Sequence, residues 1–312
     1  MDSNHLLAVG GAHIDRRGQV SGNYVPGTSN PGVLAEEVGG VVFNALRNAV
    51  KRGITASLLS VRGGDAAGDN VARAIAHAGI EDLSVVFLDR STPSYTALLD
   101  RDGELIAGLA DMGLYELAFA KQLGRSKVRE AVAAARAILC DANLPEAALA
   151  KLGVVASGKL MFAIAISPAK VTRMAGMLKH LALLFMNQRE AASLCGIDGA
   201  GITETIDNLR GKGLASGVIT AGREAVIGFD ADGAFSIQPP PARKVADVTG
   251  AGDALAGATI AAMIKGHGLR DALREGLAAA MLTVESPMAV ADFSAREFAA
   301  ALALVPHAVE MA

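Results

Sequence analysis

Asp247-Val248-Thr249-Gly250-Ala251-Gly252-Asp253 ends on a carboxylate that follows three small residues and opens a long apolar helical pattern. Small residues let a backbone turn tightly and let a ligand approach the main chain. At a helix start the first N–H groups lack intrahelical partners, and together with the helix dipole they attract an anion. A carboxylate in the same turn can accept a proton from an attacking hydroxyl while those amides stabilise a transferring phosphoryl group. The same seven residues also read as a plain aspartate N-cap after a glycine-rich turn, and spacing alone does not separate the two.

Other segments are open in the same way. Gly39-Gly40 lies four residues before Asn44 at the start of a helical pattern, where glycines permit backbone contact with a ligand and the amide offers both donor and acceptor. An ordinary helix-start turn would look the same. Asn187 and Glu190 share one face of a helical turn and could order water around Mg²⁺, which keeps much of its water shell; a capping box has the same spacing. Thr220-Ala221-Gly222 follows an apolar strand, and Gly64-Asp65 with Gly68 reads as a turn and helix start. His13 is read as a polar surface residue.

These segments sit on an alternation of short strand-like and longer helical runs. Strands are expected at Leu6 to Val9, Ala56 to Val61, Ala137 to Cys140, Leu160 to Ile166, Ala182 to Met186 and Gly217 to Thr220. Helical patterns run from Asn44 to Arg52, Asp69 to Ala78, Val128 to Arg136, Lys170 to His180, and onward from Asp253. The alternation implies a mainly parallel central sheet flanked by helices. Residues 13–38 and 93–112 do not fit it. The second carries a hairpin, Ser94 to Leu99 and Glu104 to Leu109 around Asp100 to Gly103, and together they are read as a small β-rich lid on one domain spanning 1–312. Open lid edges would be protected by a homodimer through the lid.

Composition narrows the partners. A net charge of −3 with scattered basic residues favours neither nucleic acid nor an anionic membrane, and 4% aromatic residues leave little base-stacking surface. Cys140 and Cys195 lie far apart and read as buried free thiols. Met1 to His5 has no basic n-region, Leu6 to Val9 is too short for a signal core, and charge interrupts every apolar stretch before about 18 residues, so a cytoplasmic protein without a membrane span is expected.

The complete heptad at 247–253 resembles the C-terminal signature of the ribokinase-like (PfkB) carbohydrate kinases, and the resemblance runs from Gly10 to about Val290. It implies a Rossmann-like fold and ATP-dependent phosphorylation of a sugar or nucleoside. By that resemblance Asp253 is the catalytic base, and the amides of Gly250, Ala251 and Gly252 form the anion hole. Asp15, Gly39, Gly40 and Asn44 would hold sugar hydroxyls. Asn187, Thr220, Gly222, Thr249, Gly250 and Gly252 would line the nucleotide site, with Glu190 near Mg²⁺ through water. K⁺ beside Asp247 and Thr249 is also implied. Ala225 stands where the family commonly has a further glycine.

Within the family, Gly10 to Asp15, Thr28 to Gly32, Ala110 to Met112, Cys140 to Pro145 and Thr283 to Ser286 resemble bacterial pseudouridine kinases. That resemblance places Ser29 and Asn30 near a base and makes pseudouridine the first substrate expected. Phe43 departs from it, since those kinases usually carry arginine just before the asparagine. A kinase for ribose, fructose, adenosine or inosine is the nearest alternative, and a non-catalytic nucleoside-binding regulator is one of another class. A dinucleotide-binding dehydrogenase is disfavoured because Gly10-Gly11 does not continue as G-x-G-x-x-G.

Overall fold

The structure, a computed structural model, describes residues 4–197 and 199–311, so the reading of Met1 to Ser3 lies outside it. In chain order the strands are β1 (His5–Val9), β2 (His13–Val20), β3 (Gly32–Gly39), β4 (Thr55–Leu59), β5 (Val61–Gly63), β6 (Glu81–Asp82), β7 (Val85–Phe87), β8 (Ser94–Leu99) and β9 (Leu105–Asp111). They continue as β10 (Ala137–Asp141), β11 (Leu160–Ile164), β12 (Leu183–Asn187), β13 (Gly217–Thr220), β14 (Val226–Asp230), β15 (Gly233–Ile237) and β16 (Val309–Glu310).

The main sheet has ten strands in the order β16-β15-β14-β13-β12-β11-β10-β1-β4-β6. Pairing is parallel from β6 through β13 and antiparallel from β13 to β16. Both faces are covered. Leu6 and Ala8 of β1 enter one apolar cluster, and Leu7 and Val9 enter the other. Such strands read as continuous apolar runs because both alternating faces are dry. The expected strand from Ala56 to Val61 is divided at Ser60. Its Oγ accepts the Ala12 N–H, and Val61 onward pairs in a separate two-stranded sheet with β7.

The chain leaves β1 for β4 on one side and later returns to β10 on the other. In open α/β sheets such a reversal opens a crevice beyond the carboxyl ends of the strands. Gly10-Gly11 follows β1 and Asn143 follows β10, so the crevice floor is built from those two turns. The segments read as a lid form a four-stranded sheet of their own, ordered β3-β2-β8-β9. Its hairpin turn is closed by Asp100, whose Oδ1 accepts the N–H groups of Asp102 and Glu104 at 2.9 Å. That sheet springs from the end of β1 and ends at Gly39, which leads into the helix Val41–Lys51.

This helix packs directly on the helix Ala251–Ile264. The crossing is close because Gly257 has no side chain; a Cβ there would run into the carbonyl oxygen of Ala45 and crowd Cβ of Asn48 at 2.9 Å. Overpacking a close helix contact costs about 1–3 kcal/mol. Gly257→Val is therefore expected to lower unfolding stability by at least ~2 kcal/mol in denaturant titration.

Candidate active site

The helix Ala251–Ile264 starts at Gly250, whose φ of 80° is left-handed. A Cβ at 250 would collide with the carbonyl of Ala289, so sterics and conformation both require glycine. Gly252 is different: outside its own stretch of helix, no atom lies within 4 Å of where its Cβ would be. The protein itself does not demand a glycine there, which leaves the main chain open to a ligand. Asp253 lies in the first turn of this helix.

Asn44 aims at Asp253 from the neighbouring helix. Its Nδ2 donates to Asp253 Oδ2 at 2.9 Å, while Arg47 Nη2 donates to Asn44 Oδ1 at 2.5 Å. Asp253 keeps some contact with solvent, but its carboxylate lies deep among packed groups. Burial pushes its pKa from the ordinary 3.8 up to about 7; the Asn44 hydrogen bond and the Arg47 charge oppose that rise, and the charges of Asp141 and Asp15 add to it.

Asp15 closes the other side on β2. Its Oδ2 occupies the space a Cβ at Gly39 would need. At Gly40 φ is 115°, and a Cβ would meet the carbonyl of Gly11. The two glycines thus let the helix start approach both the aspartate and the β1 turn. His13, expected on the surface, is instead buried at 5% exposure. Its Nε2 lies 3.3 Å from Asp15 Oδ1, and Nδ1 lies 3.2 Å from the Tyr115 hydroxyl. The burial leaves no local trace because its cover, Tyr115, comes from a helix far along the chain.

Below these residues, the fully buried Asp141 carboxylate accepts the N–H groups of Asn143 at 3.0 Å and Gly11 at 3.4 Å. Burial raises its pKa, opposed by these amides and by His13 and Lys170. Lys170 Nζ donates to Asn143 Oδ1 at 2.7 Å. Asp141 falls within the Cys140 to Pro145 stretch, but no role for it could be assigned from the residues. A single aspartate after an apolar strand carries little signal by itself.

Of the residues read as lining a nucleotide site, Thr220, Gly222 and Gly252 share one cavity, and Asn187, Thr249 and Gly250 are not part of its lining. Asn187 and Thr220 are register partners on β12 and β13. Thr220, Gly222, Val248, Ala251 and Gly252 line a cavity of about 710 Å³ with Val226, Leu277, Met281, Val284 and Pro239 to Pro241. Its wall is mostly apolar and suits a flat base. Ala225 is not part of this lining. Asn187 and Glu190 form a capping box: Glu190 N–H donates to Asn187 Oδ1 at 2.9 Å, and Asn187 N–H donates to Glu190 Oε2 at 2.7 Å. Burial raises the Glu190 pKa. No cluster of three or more acids, histidines or cysteines able to hold a metal occurs among the described residues.

Ser29 and Asn30 sit together on the loop between β2 and β3. Asn30 spends its amide on its own loop, accepting the Val25 N–H and donating to the carbonyls of Val25 and Thr28. Ser29 is exposed beside it, and among the described residues no hydrogen bond joins either to Asp15, Asn44 or Asp253. Asp65 caps the helix Ala66–His77 through the Gly68 N–H and also accepts from Thr92, so Gly64 to Gly68 serves as turn and helix start.

Asp247 and Thr249 are held by a residue that no motif flagged. Arg17 on β2 donates through Nη1 to Asp247 Oδ2 at 2.8 Å and through Nη2 to Thr249 Oγ1 at 2.9 Å. The second Asp247 oxygen accepts the Thr249 N–H at 2.8 Å. Both carboxylate oxygens therefore have partners, and Arg17 together with these hydrogen bonds holds the Asp247 pKa below its ordinary value despite partial burial. This fork ties the small sheet to the loop that begins the heptad.

The chain matches the pfkB family carbohydrate kinases over residues 3–296. It belongs to that family. A carbohydrate kinase from Agrobacterium tumefaciens is 46% identical, with a TM-score of 0.87 over 98% of this chain and 99% of that one. Pseudouridine kinase of Escherichia coli (strain K12) is 27% identical over 277 residues, 88% of each chain. Arabidopsis thaliana ribokinase, solved with ribose and ATP, shares the fold at a TM-score of 0.86 and 20% identity over 95% of this chain and 98% of that one. The protein is thus a phosphotransferase acting on a hydroxyl group of a carbohydrate or nucleoside. Among the described residues no helix is long and apolar enough to cross a membrane.

Two outcomes follow from the electrostatics. An acid raised from 3.8 to about 7 on folding binds its proton more tightly in the native state, so wild-type stability falls as pH rises through that window. Asp253→Asn escapes this loss, and its melting temperature relative to wild type should be more favourable at pH 8 than at pH 4. Arg17→Met should speed amide exchange at 247–250 about fivefold, the equivalent of the ~1 kcal/mol a partly exposed ion pair contributes. Exchange in the ten-stranded sheet should be unchanged.

Proposed function

We propose that this kinase transfers the γ-phosphoryl group of ATP to the 5′-hydroxyl of a ribosyl substrate, with pseudouridine the first candidate. The observation that carries the reading is the Asn44–Asp253 pair beside an open glycine main chain. A carboxyl group with a pKa of about 7 is matched to accepting a proton near neutral pH. Asp15, Gly39, Gly40 and Asn44 hold the ribose hydroxyls. Asp253 takes the proton of the attacking hydroxyl, and the amides of Gly250, Ala251 and Gly252 offset charge on the phosphoryl oxygens. Positioning and electrostatics supply most of the catalysis in such transfers.

The base of ATP fits the apolar cavity between Thr220, Gly222 and the prolines. Mg²⁺ carried on the phosphates would neutralise charge there, with Asn187 and Glu190 ordering its water. A monovalent cation beside Asp247 and Thr249 would have to rely on main-chain oxygens, since Arg17 already neutralises the carboxylate. The sheet from 13–38 and 93–112 acts as a lid that excludes water, within one catalytic unit spanning the chain. Its edge strands β3 and β9, with Val33, Leu34, Leu105 and Leu109 exposed, suit pairing with a second copy.

The similarity to pseudouridine kinase at 27% identity supports the choice of nucleoside. With ATP and Mg²⁺, a panel of pseudouridine, ribose, fructose, adenosine and inosine should show the fastest turnover on pseudouridine; a faster rival would displace it. Asp253→Asn should lower kcat by about 10²–10⁴-fold while calorimetry shows nucleoside binding near wild type. Near-normal turnover would remove Asp253 as the base.

A further inference from the structure

Phe43 is fully buried in the core. One helical turn on, Arg47 lies over that ring, its guanidinium carbon 4.7 Å from the centroid. Residues four apart share a helix face, so the ring serves as a platform for the cation. From that platform Nη2 reaches Asn44 Oδ1 at 2.5 Å.

The consequence lies in the amide. A carboxamide has one acceptor end and one donor end. With a guanidinium on the oxygen, only the amino end is left to face Asp253, where it donates at 2.9 Å. Without that tie the amide can rotate and set its carbonyl against a carboxylate. The arrangement is costly: Arg47 Nε is buried with no hydrogen-bond partner, and burial lowers the guanidinium pKa. An orphaned buried donor destabilises a fold, so stability alone does not account for this placement.

We propose that Arg47 is a positioning residue for the base: it locks the Asn44 amide toward Asp253 and sets a positive charge beside that carboxyl group. The proposal rests on Asp253 being the base. The charged groups facing Asp253 are Arg47 from the helix Val41–Lys51, Asp15 from β2 and Asp141 from the end of β10, and Glu37 on β3 acts on Arg47. Both aspartates favour the protonated acid, and Arg47 opposes them.

The test uses the full chain. Arg47→Met keeps an unbranched stem on Phe43 and removes charge and donors. In the ligand-free enzyme, ¹³C titration follows the Asp253 carboxyl, whose resonance is assigned by its loss in Asp253→Asn. Its midpoint should rise by about one pH unit in Arg47→Met. The acidic limb of kcat/KM should move with it, and kcat at pH 7 should fall about fivefold while KM for ATP holds. Arg47→Lys should bring the midpoint back toward wild type. An unchanged midpoint and limb in Arg47→Met overturn the proposal while leaving Asp253 as base; turnover surviving in Asp253→Asn removes the base, and the titration still decides whether Arg47 holds the carboxylate. Arg47→Gln carries the same test should the methionine variant fail to fold.

Discussion

The hydrogen bond between Asn44 and Asp253 joins residues 209 positions apart in the chain, and its 2.9 Å length depends on how closely two helices cross. Gly257 sets that approach by leaving room for the Ala45 carbonyl. A side chain at 257 would part the helices and carry Asn44 away from the carboxylate. Helix packing and site geometry are therefore one constraint here, because close-packed interiors transmit small displacements.

Electrostatics builds on that geometry. Asp15 and Asp141 face Asp253, and their charges together with burial make its ionisation costly. The Asn44 hydrogen bond and the Arg47 charge offset part of that cost. A pKa near 7 for Asp253 is the balance of these opposing effects. Arg17 extends the balance outward, since one guanidinium neutralises Asp247 and bonds Thr249 from a different sheet. The small sheet is thereby tied to the loop leading into the glycine turn at 250.

Much of the frame was legible in the residues. The strands at β1, β10 and β13 stand within a residue or so of their apolar runs, because strands buried on both faces must be apolar throughout. The hairpin of β8 and β9 was legible from Asp100 and Gly103, whose turn chemistry is local. Less visible was the helix Gly113–Gln122, where apolar residues surround the axis and no amphipathic stripe marks it. Ser60 hid a strand break whose cause, the Ala12 N–H, lies 48 residues away.

The sequence by itself determined the heptad, its glycine-rich companions and the α/β alternation, all of which depend on local spacing and backbone freedom. Glycines at 40 and 250 are demanded by positive φ and close carbonyls, so their positions are written into the chain. Tertiary structure alone decided that His13 is buried against Tyr115, that Asn30 turns inward on its own loop, and that Arg17 and Arg47 bear on the site. Arginines on strands and helices are ordinary in sequence. Their importance arises only when folding brings a guanidinium across tens or hundreds of residues to an aspartate, or lays it on a neighbouring ring out of water.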